Sequence, residues 1–275
     1  MKNKSNSSRT IVNLIGIPFL LTCIFLGDDS IITIPVFSIL VFMIMILSTV
    51  EWNSLTETQY KHIKNLNFVS ICGLFLTLYN FKSTSFVAIV IVIHLLIGSL
   101  MTTICVTKKP LKTLSNSIFG VVFIGVCIGS LILIRNLDIG LNITYMMFIS
   151  IWTCDTFAFF FGKKYGRKKL SPALSPNKTW FGAMSGTIGS MFIVLIFYTF
   201  IPISNFNILD YIIFGLIFGV LGQIGDLLES SFKRERNIKD TSNILQGHGG
   251  LLDRFDSLSF ASPVLYLYLL LRYIV

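Results

Sequence analysis

Charge is scarce in this sequence. Asp, Glu, Lys and Arg make up 13% of its 275 residues, about half the share of an ordinary soluble domain, and this excludes a water-soluble fold. The sequence also lacks any CxxC pair. Cys23, Cys72, Cys105, Cys127 and Cys154 lie in or beside apolar runs without neighbouring histidines, so they read as small packing residues rather than disulfides or metal ligands. There is no internal repeat, no nucleic-acid-binding module and no apolar/polar alternation of the kind that builds a membrane barrel.

What the sequence has is apolar length. Hydrophobic residues account for 53% of the chain, with 25 phenylalanines, and they come in runs. Lipid leaves a helix as the only way to satisfy the backbone of such a run, and a bilayer core of about 30 Å needs about 20 apolar residues per helix. Nine segments qualify: 11–26, 31–49, 66–79, 86–104, 117–134, 140–162, 182–202, 208–225 and 257–275. The third is the weakest, being short and carrying Asn67 and Ser70. The first follows Lys2, Lys4 and Arg9 as a signal peptide would. A second apolar run follows almost at once, and no small-residue cleavage site separates them, so the first reads as a retained span.

The basic residues test this count. Nineteen of the 22 Lys and Arg fall in alternate connecting segments, and only Lys82, Arg135 and Arg272 fall on the other side. Positive charge is retained in the cytoplasm, so an odd number of spans with a cytoplasmic N-terminus is expected. The fold class is thus an all-α polytopic membrane protein of about nine helices. The net charge of +9 becomes a property of the cytoplasmic face, suited to anionic headgroups and polyphosphates.

Two polar segments on that face, 163–181 and 226–256, carry the chemistry. In the later one, Asp253 and Asp256 are spaced to share one face of a helix, and Asp226 offers a third carboxylate. Hard cations such as Mg2+ take carboxylates together with phosphate oxygens and water. Lys233, Arg234, Lys239 and Arg254 supply positive charge for phosphate. Gly249 and Gly250 permit a close backbone approach to phosphate or positive φ angles. His248 beside them is either a structural hydrogen-bond donor or a proton carrier. An isolated Asp-Arg-x-Asp would be a solvated helix cap, but this one has the glycines directly upstream.

In the earlier segment, Ser175-Pro176-Asn177-Lys178-Thr179 places two hydroxyls, a turn and a cation within five residues. Both a phosphate-binding corner and a helix N-cap by Ser175 remain open readings. Lys163 to Lys169 reads equally as an interfacial basic patch. Asp155, about two turns inside the sixth span, is a costly intramembrane carboxylate and a functional candidate by default.

These residues resemble a known family. Ser230-x-Phe232-Lys233-Arg234, then Lys239-Asp240-x-Ser242, then His248-Gly249-Gly250-Leu251-x-Asp253-Arg254-Phe255-Asp256 is similar to the signature of phosphatidate cytidylyltransferases, the CDP-diacylglycerol synthases. The Asp155-Thr156 helix followed by Ser175-Pro176-x-Lys178-Thr179-Trp180 resembles that family's second landmark. The resemblance covers roughly 150–275. It departs at Gln246, where Pro or a small residue is usual, and at Phe181, where Glu is common.

The resemblance implies transfer of CMP from CTP to phosphatidate with release of pyrophosphate, dependent on Mg2+ and a possible second cation. It implies metal binding by Asp226, Asp253 and Asp256 with Asp155 near them. Ser175, Lys178, Lys233, Arg234 and Lys239 would hold phosphates, and His248 and Arg254 would orient the site. A cytoplasmic inner-membrane location and a homodimer are further expectations. Residues 1–110 then form N-terminal helices of unassigned role and 111–275 the catalytic region. The competing classes are a CTP-dependent enzyme of another membrane lipid, such as a polyprenol kinase or ether-lipid cytidylyltransferase, and a transporter, which would show repeated halves.

Overall fold

The computed structural model describes residues 2–27, 35–81, 84–105, 107–244 and 249–274, and most of their length is helical. The helices are α1 Lys2–Leu26, α2 Val36–Leu55, α3 Lys61–Leu76, α4 Thr84–Ile104, α5 Pro110–Gly120, α6 Ser130–Arg135, α7 Gly140–Tyr165, α8 Trp180–Phe200, α9 Ile208–Leu216, α10 Gly222–Glu235 and α11 Leu252–Ile274. Wider π-helical turns join α5 to α6 (Val121–Ile128) and α9 to α10 (Ile217–Leu221), and another extends α3 (Thr77–Phe81). Among the described residues, six helical runs are long and apolar enough to cross a membrane: Val36–Leu55, Ser85–Ile104, Pro110–Arg135, Gly140–Tyr165, Trp180–Phe200 and Ile208–Glu235. The architecture is that of a helical multi-pass membrane protein.

Sequence reading anticipated no strands. The structure has a short antiparallel hairpin of β1 Lys169–Ser171 and β2 Ser175–Thr179, with Lys169 opposite Thr179 and Ser171 opposite Ser175. The helix cap that is one reading of Ser175 falls at Thr179, whose hydroxyl accepts the Gly182 amide at 3.1 Å and starts α8. Ser175 opens β2.

The chain divides into two units, residues 1–133 with 240–254, and residues 134–239 with 255–275. In the first, the polar residues that weakened the third span are paired. Asn67 donates to Asn53 at 2.7 Å and accepts from Ser117 at 2.5 Å. His94 bonds Ser117 at 3.0 Å through Nε2 and Ser70 at 2.7 Å through Nδ1. Each buried polar group that finds a partner avoids a cost of about 1–3 kcal/mol, which is how α3 tolerates them. Trp52 donates its indole N–H to the Asn116 carbonyl at 2.9 Å and stacks on Phe119.

In the second unit, α7 and α8 meet through small residues. A Cβ on Gly182 would stand 2.7 Å from the Ala158 carbonyl oxygen, and one on Gly186 would stand 2.9 Å from that of Cys154. Both distances are too short for any side chain, so glycine is what lets the two backbones approach, as small residues do between membrane helices. The start of α9 is closed by a capping box, Asn207 accepting the Asp210 amide at 3.2 Å and Asp210 accepting the Asn207 amide at 2.7 Å. Asp210 also accepts from Tyr268 and Arg272 of α11.

Candidate active site

Close packing of α7 on α8 leaves a cavity of about 590 Å³ at the hairpin end of the pair, within the size range of small-molecule sites. Its lining joins apolar Ala158, Phe159 and Leu170 to Asp155, Lys163, Lys169, Lys178, Gln223 and Asp226. Lys178, on β2, reaches across to Asp226 on α10, with Nζ 2.5 Å from the carboxylate. Arg234 donates to the carbonyls of Leu174 at 3.2 Å and Ile238 at 2.9 Å, tying α10 to the hairpin turn. The polar segment 163–181 therefore meets the first part, 226–238, of the later polar segment 226–256.

Asp256 joins this cluster from α11, just ahead of that helix's apolar run. A Cβ on Gly225 would lie 2.5 Å from the Asp256 carbonyl oxygen, so the glycine before Asp226 is what allows α10 and α11 this close. Desolvation, then the negative charge of Asp226, hold the Asp256 carboxyl above the usual carboxylate range, with Asp155 acting in the same sense. The Ser257 amide, 2.6 Å away, and the Lys233 cation act in the opposite one. Lys233 is itself paired with buried Glu229 at 3.1 Å. A positive partner beside these carboxyl groups would relieve that repulsion and favour the ionised form of Asp256.

The other half of the sequence signature is organised in the first unit. Gly249 adopts φ +81°, which glycine alone takes without strain. Asp253 Oδ2 accepts from the Gly250 amide at 2.7 Å and from the Thr241 amide and hydroxyl at 2.9 and 3.0 Å. Here the structure adds a residue that sequence reading passed over. Glu51, on α2 and 1% exposed, accepts from the Ser242 hydroxyl and the Leu251 amide through Oε1, at 2.6 and 2.8 Å. Its Oε2 accepts from the Thr241 hydroxyl and the Leu252 amide, at 3.0 and 2.8 Å. Withdrawing a carboxylate from water costs several kcal/mol, and hydrogen bonds to a charged group return about 1.5–3 kcal/mol each, so four are enough to hold it there. The surroundings of Gly250 follow from this: a Cβ would lie 2.1 Å from Thr241 Oγ1 and 2.5 Å from both Glu51 oxygens.

Of the sequence candidates, Asp155, Lys178, Asp226, Asp256 and Lys233 are thus gathered in the second unit, and Gly249, Gly250 and Asp253 in the first. Ser175 and Arg234 shape the hairpin, while Lys239 and Arg254 are exposed. His248 and Gln246 lie outside the described residues. Phe181, the departure in the earlier segment, is exposed and packs edge-on against Tyr165 at 5.7 Å. Lys163, Lys169 and Gln223 were not among the candidates, yet they line the cavity. Among the described residues, no three His, Cys, Asp or Glu side chains form a ready-made metal cage.

Fold and site define a class, the multi-pass helical membrane proteins with a charged cavity at a helix-pair end. The chain belongs to the Cytidylyltransferase family, whose family model matches residues 7–272. It is 43% identical over 153 residues to the phosphatidate cytidylyltransferase of Bacillus subtilis (strain 168), covering 54% of this chain and 56% of that protein. It is 42% identical over 131 residues to the protein of the same name from Staphylococcus haemolyticus (strain JCSC1435), covering 48% and 50%. For that of Staphylococcus aureus (strain COL) the figures are 44% over 133 residues, 48% and 50%. The chain thus spans about half the length of the curated relatives it matches.

Proposed function

We propose that the protein transfers CMP from CTP to phosphatidate, giving CDP-diacylglycerol and pyrophosphate for phospholipid synthesis. A phosphate oxygen of phosphatidate attacks the α-phosphorus of CTP, and the bond from that phosphorus to the bridging oxygen of the β-phosphate breaks. The carrying observation is the Lys178–Asp226 pair lining a cavity beside the like-charged Asp155 and Asp256. The nucleophile is already ionised, so positioning and charge neutralisation do most of the work.

Lys178, released from Asp226 when substrate enters, neutralises a phosphate oxygen, and Lys163 and Lys169 draw the polyphosphate into the cavity. Asp226 and Asp256, with Asp155 beside them, are the carboxylates that would hold Mg2+. When bound, the ion supplies positive charge to the phosphates as negative charge builds on the leaving pyrophosphate. Arg234 keeps the hairpin, and with it Lys178, at the cavity mouth. The apolar lining of Phe159, Ala158 and Leu170 suits a substrate whose acyl chains stay in the bilayer.

The reading includes nine spans in the inner membrane, the site facing the cytoplasm, and catalysis by residues 111–275. The orientation has support beyond the count of basic residues: Glu51, at the end of α2 that precedes Lys61 and Lys64, hydrogen-bonds 241–252, putting two segments assigned to the cytoplasm together. A homodimer completes the proposal. Labelled CTP supplied to the purified protein with phosphatidate micelles should give a chloroform-soluble product that requires Mg2+. No labelled lipid from well-folded protein across a range of metal and phosphatidate concentrations sinks the assignment.

A further inference from the structure

Glu51 lies 190 to 201 residues from all four of its hydrogen-bond donors, in a helix that the proposed reaction leaves without a role. Two of those donors are the amides of Leu251 and Leu252, at the start of α11, where backbone N–H groups have no partner within the helix. The other two are the hydroxyls of Thr241 and Ser242. Thr241 Oγ1 also lies 3.0 Å from Asp253 Oδ2, so its proton is shared between Glu51 and Asp253. Gly250, whose amide is bonded to Asp253, has room for no side chain because the Glu51 carboxylate fills that space.

We propose that Glu51 is a positioning residue: a carboxylate from the N-terminal half that fixes residues 241–242 and 250–253 in the arrangement the reaction requires. This rests on the reaction proposed above. A bound phosphate could stabilise the same amides at a helix start, but Glu51 already takes both, so in this structure they serve to hold the motif. The requirement is for a carboxylate specifically. Each oxygen accepts one hydroxyl, which can rotate, and one backbone N–H, which cannot. In Glu51→Gln, either orientation of the amide turns its NH2 toward the N–H of Leu251 or Leu252, two donors facing each other.

The test compares Glu51→Gln with the native protein in two readouts. Hydrogen–deuterium exchange at the Leu251 and Leu252 amides, which needs no catalysis, should quicken at least tenfold. The kcat for CDP-lipid formation should fall about 10- to 100-fold, the range seen when residues supporting a site are removed, while KM for CTP changes less than about threefold. Glu51→Asp, one methylene shorter but still a double acceptor, should recover part of kcat. Should Glu51→Gln not fold, a Thr241→Val/Ser242→Ala variant keeps the carboxylate and both amide bonds, and should lose kcat by about three- to tenfold with KM held.

Unchanged exchange at 251–252 overturns the clamp, and so does a loss seen only in KM or an equal kcat in Gln and Glu forms. A native protein that makes no CDP-lipid, with exchange still accelerated in Glu51→Gln, overturns the reaction and leaves the clamp standing as a structural tie.

Discussion

Glu51 and Asp253 in the first unit, and Asp155, Asp226 and Asp256 in the second, are acidic groups placed where carboxylates are costly, yet their partners differ in kind. In the first unit the hydrogen bonds described to Glu51 come from amides and hydroxyls. Such donors carry no net charge and fix a shape. In the second the carboxylates act on one another, and beside the Ser257 amide the partners that relieve them include the cations of Lys178 and Lys233. Dipolar donors satisfy a carboxylate without calling for a cation, whereas mutual repulsion leaves a standing demand for positive charge. One cluster is therefore read as scaffold and the other as the place where cation and phosphate meet.

The contrast is broken most sharply at Asp256. Asp256→Asn should lower CDP-lipid formation by about 10²- to 10³-fold, the order lost with one preorganised electrostatic group. The same variant should be at least as stable as the native protein without metal, because a neutral amide no longer faces Asp226, and Mg2+ should raise its melting temperature less. Thermal unfolding with and without Mg2+ reads both effects.

Lys178→Met should follow at about 10²-fold in activity, with Lys178→Arg recovering part of it as a longer, forked cation. A Lys178→Met protein with native rates would move the phosphate site away from the hairpin.

Gly250→Ala moves the comparison to the scaffold side. Its Cβ meets Thr241 and both Glu51 oxygens, and overpacking of this kind costs about 1–3 kcal/mol, read by denaturation in detergent. Smallest is Arg272→Met. Arg272 Nε lies 2.8 Å from Asp210, which keeps Tyr268 and the Asn207 amide as donors. The melting temperature should fall only slightly, as for an exposed ion pair, with activity unchanged within about twofold.

Much of the charged cavity was legible in the sequence because its parts are clustered along the chain: Lys178 in one polar loop, Asp226 and Asp256 bounding another. Asp155 stood out by the cost of an acid in an apolar helix. Glu51 gave the same signal, between Val50 and Trp52, but nothing near it in sequence named a partner, since those partners come 190 or more residues later. The hairpin was missed because β1 and β2 are three and five residues long and too polar to show an alternating pattern. The π turns leave no periodic trace either. Asn67 and Ser70 argued against a third span only while their partners Asn53, Ser117 and His94 were unknown.

The separation between Glu51 and its donors also sets a clock on biosynthesis. At about 5–20 residues per second, α2 leaves the ribosome about 10–40 s before Thr241 follows it, 190 positions on. Throughout that interval the carboxylate has none of its final donors, so the segment around Asp253 cannot set until residues 241–252 have been made.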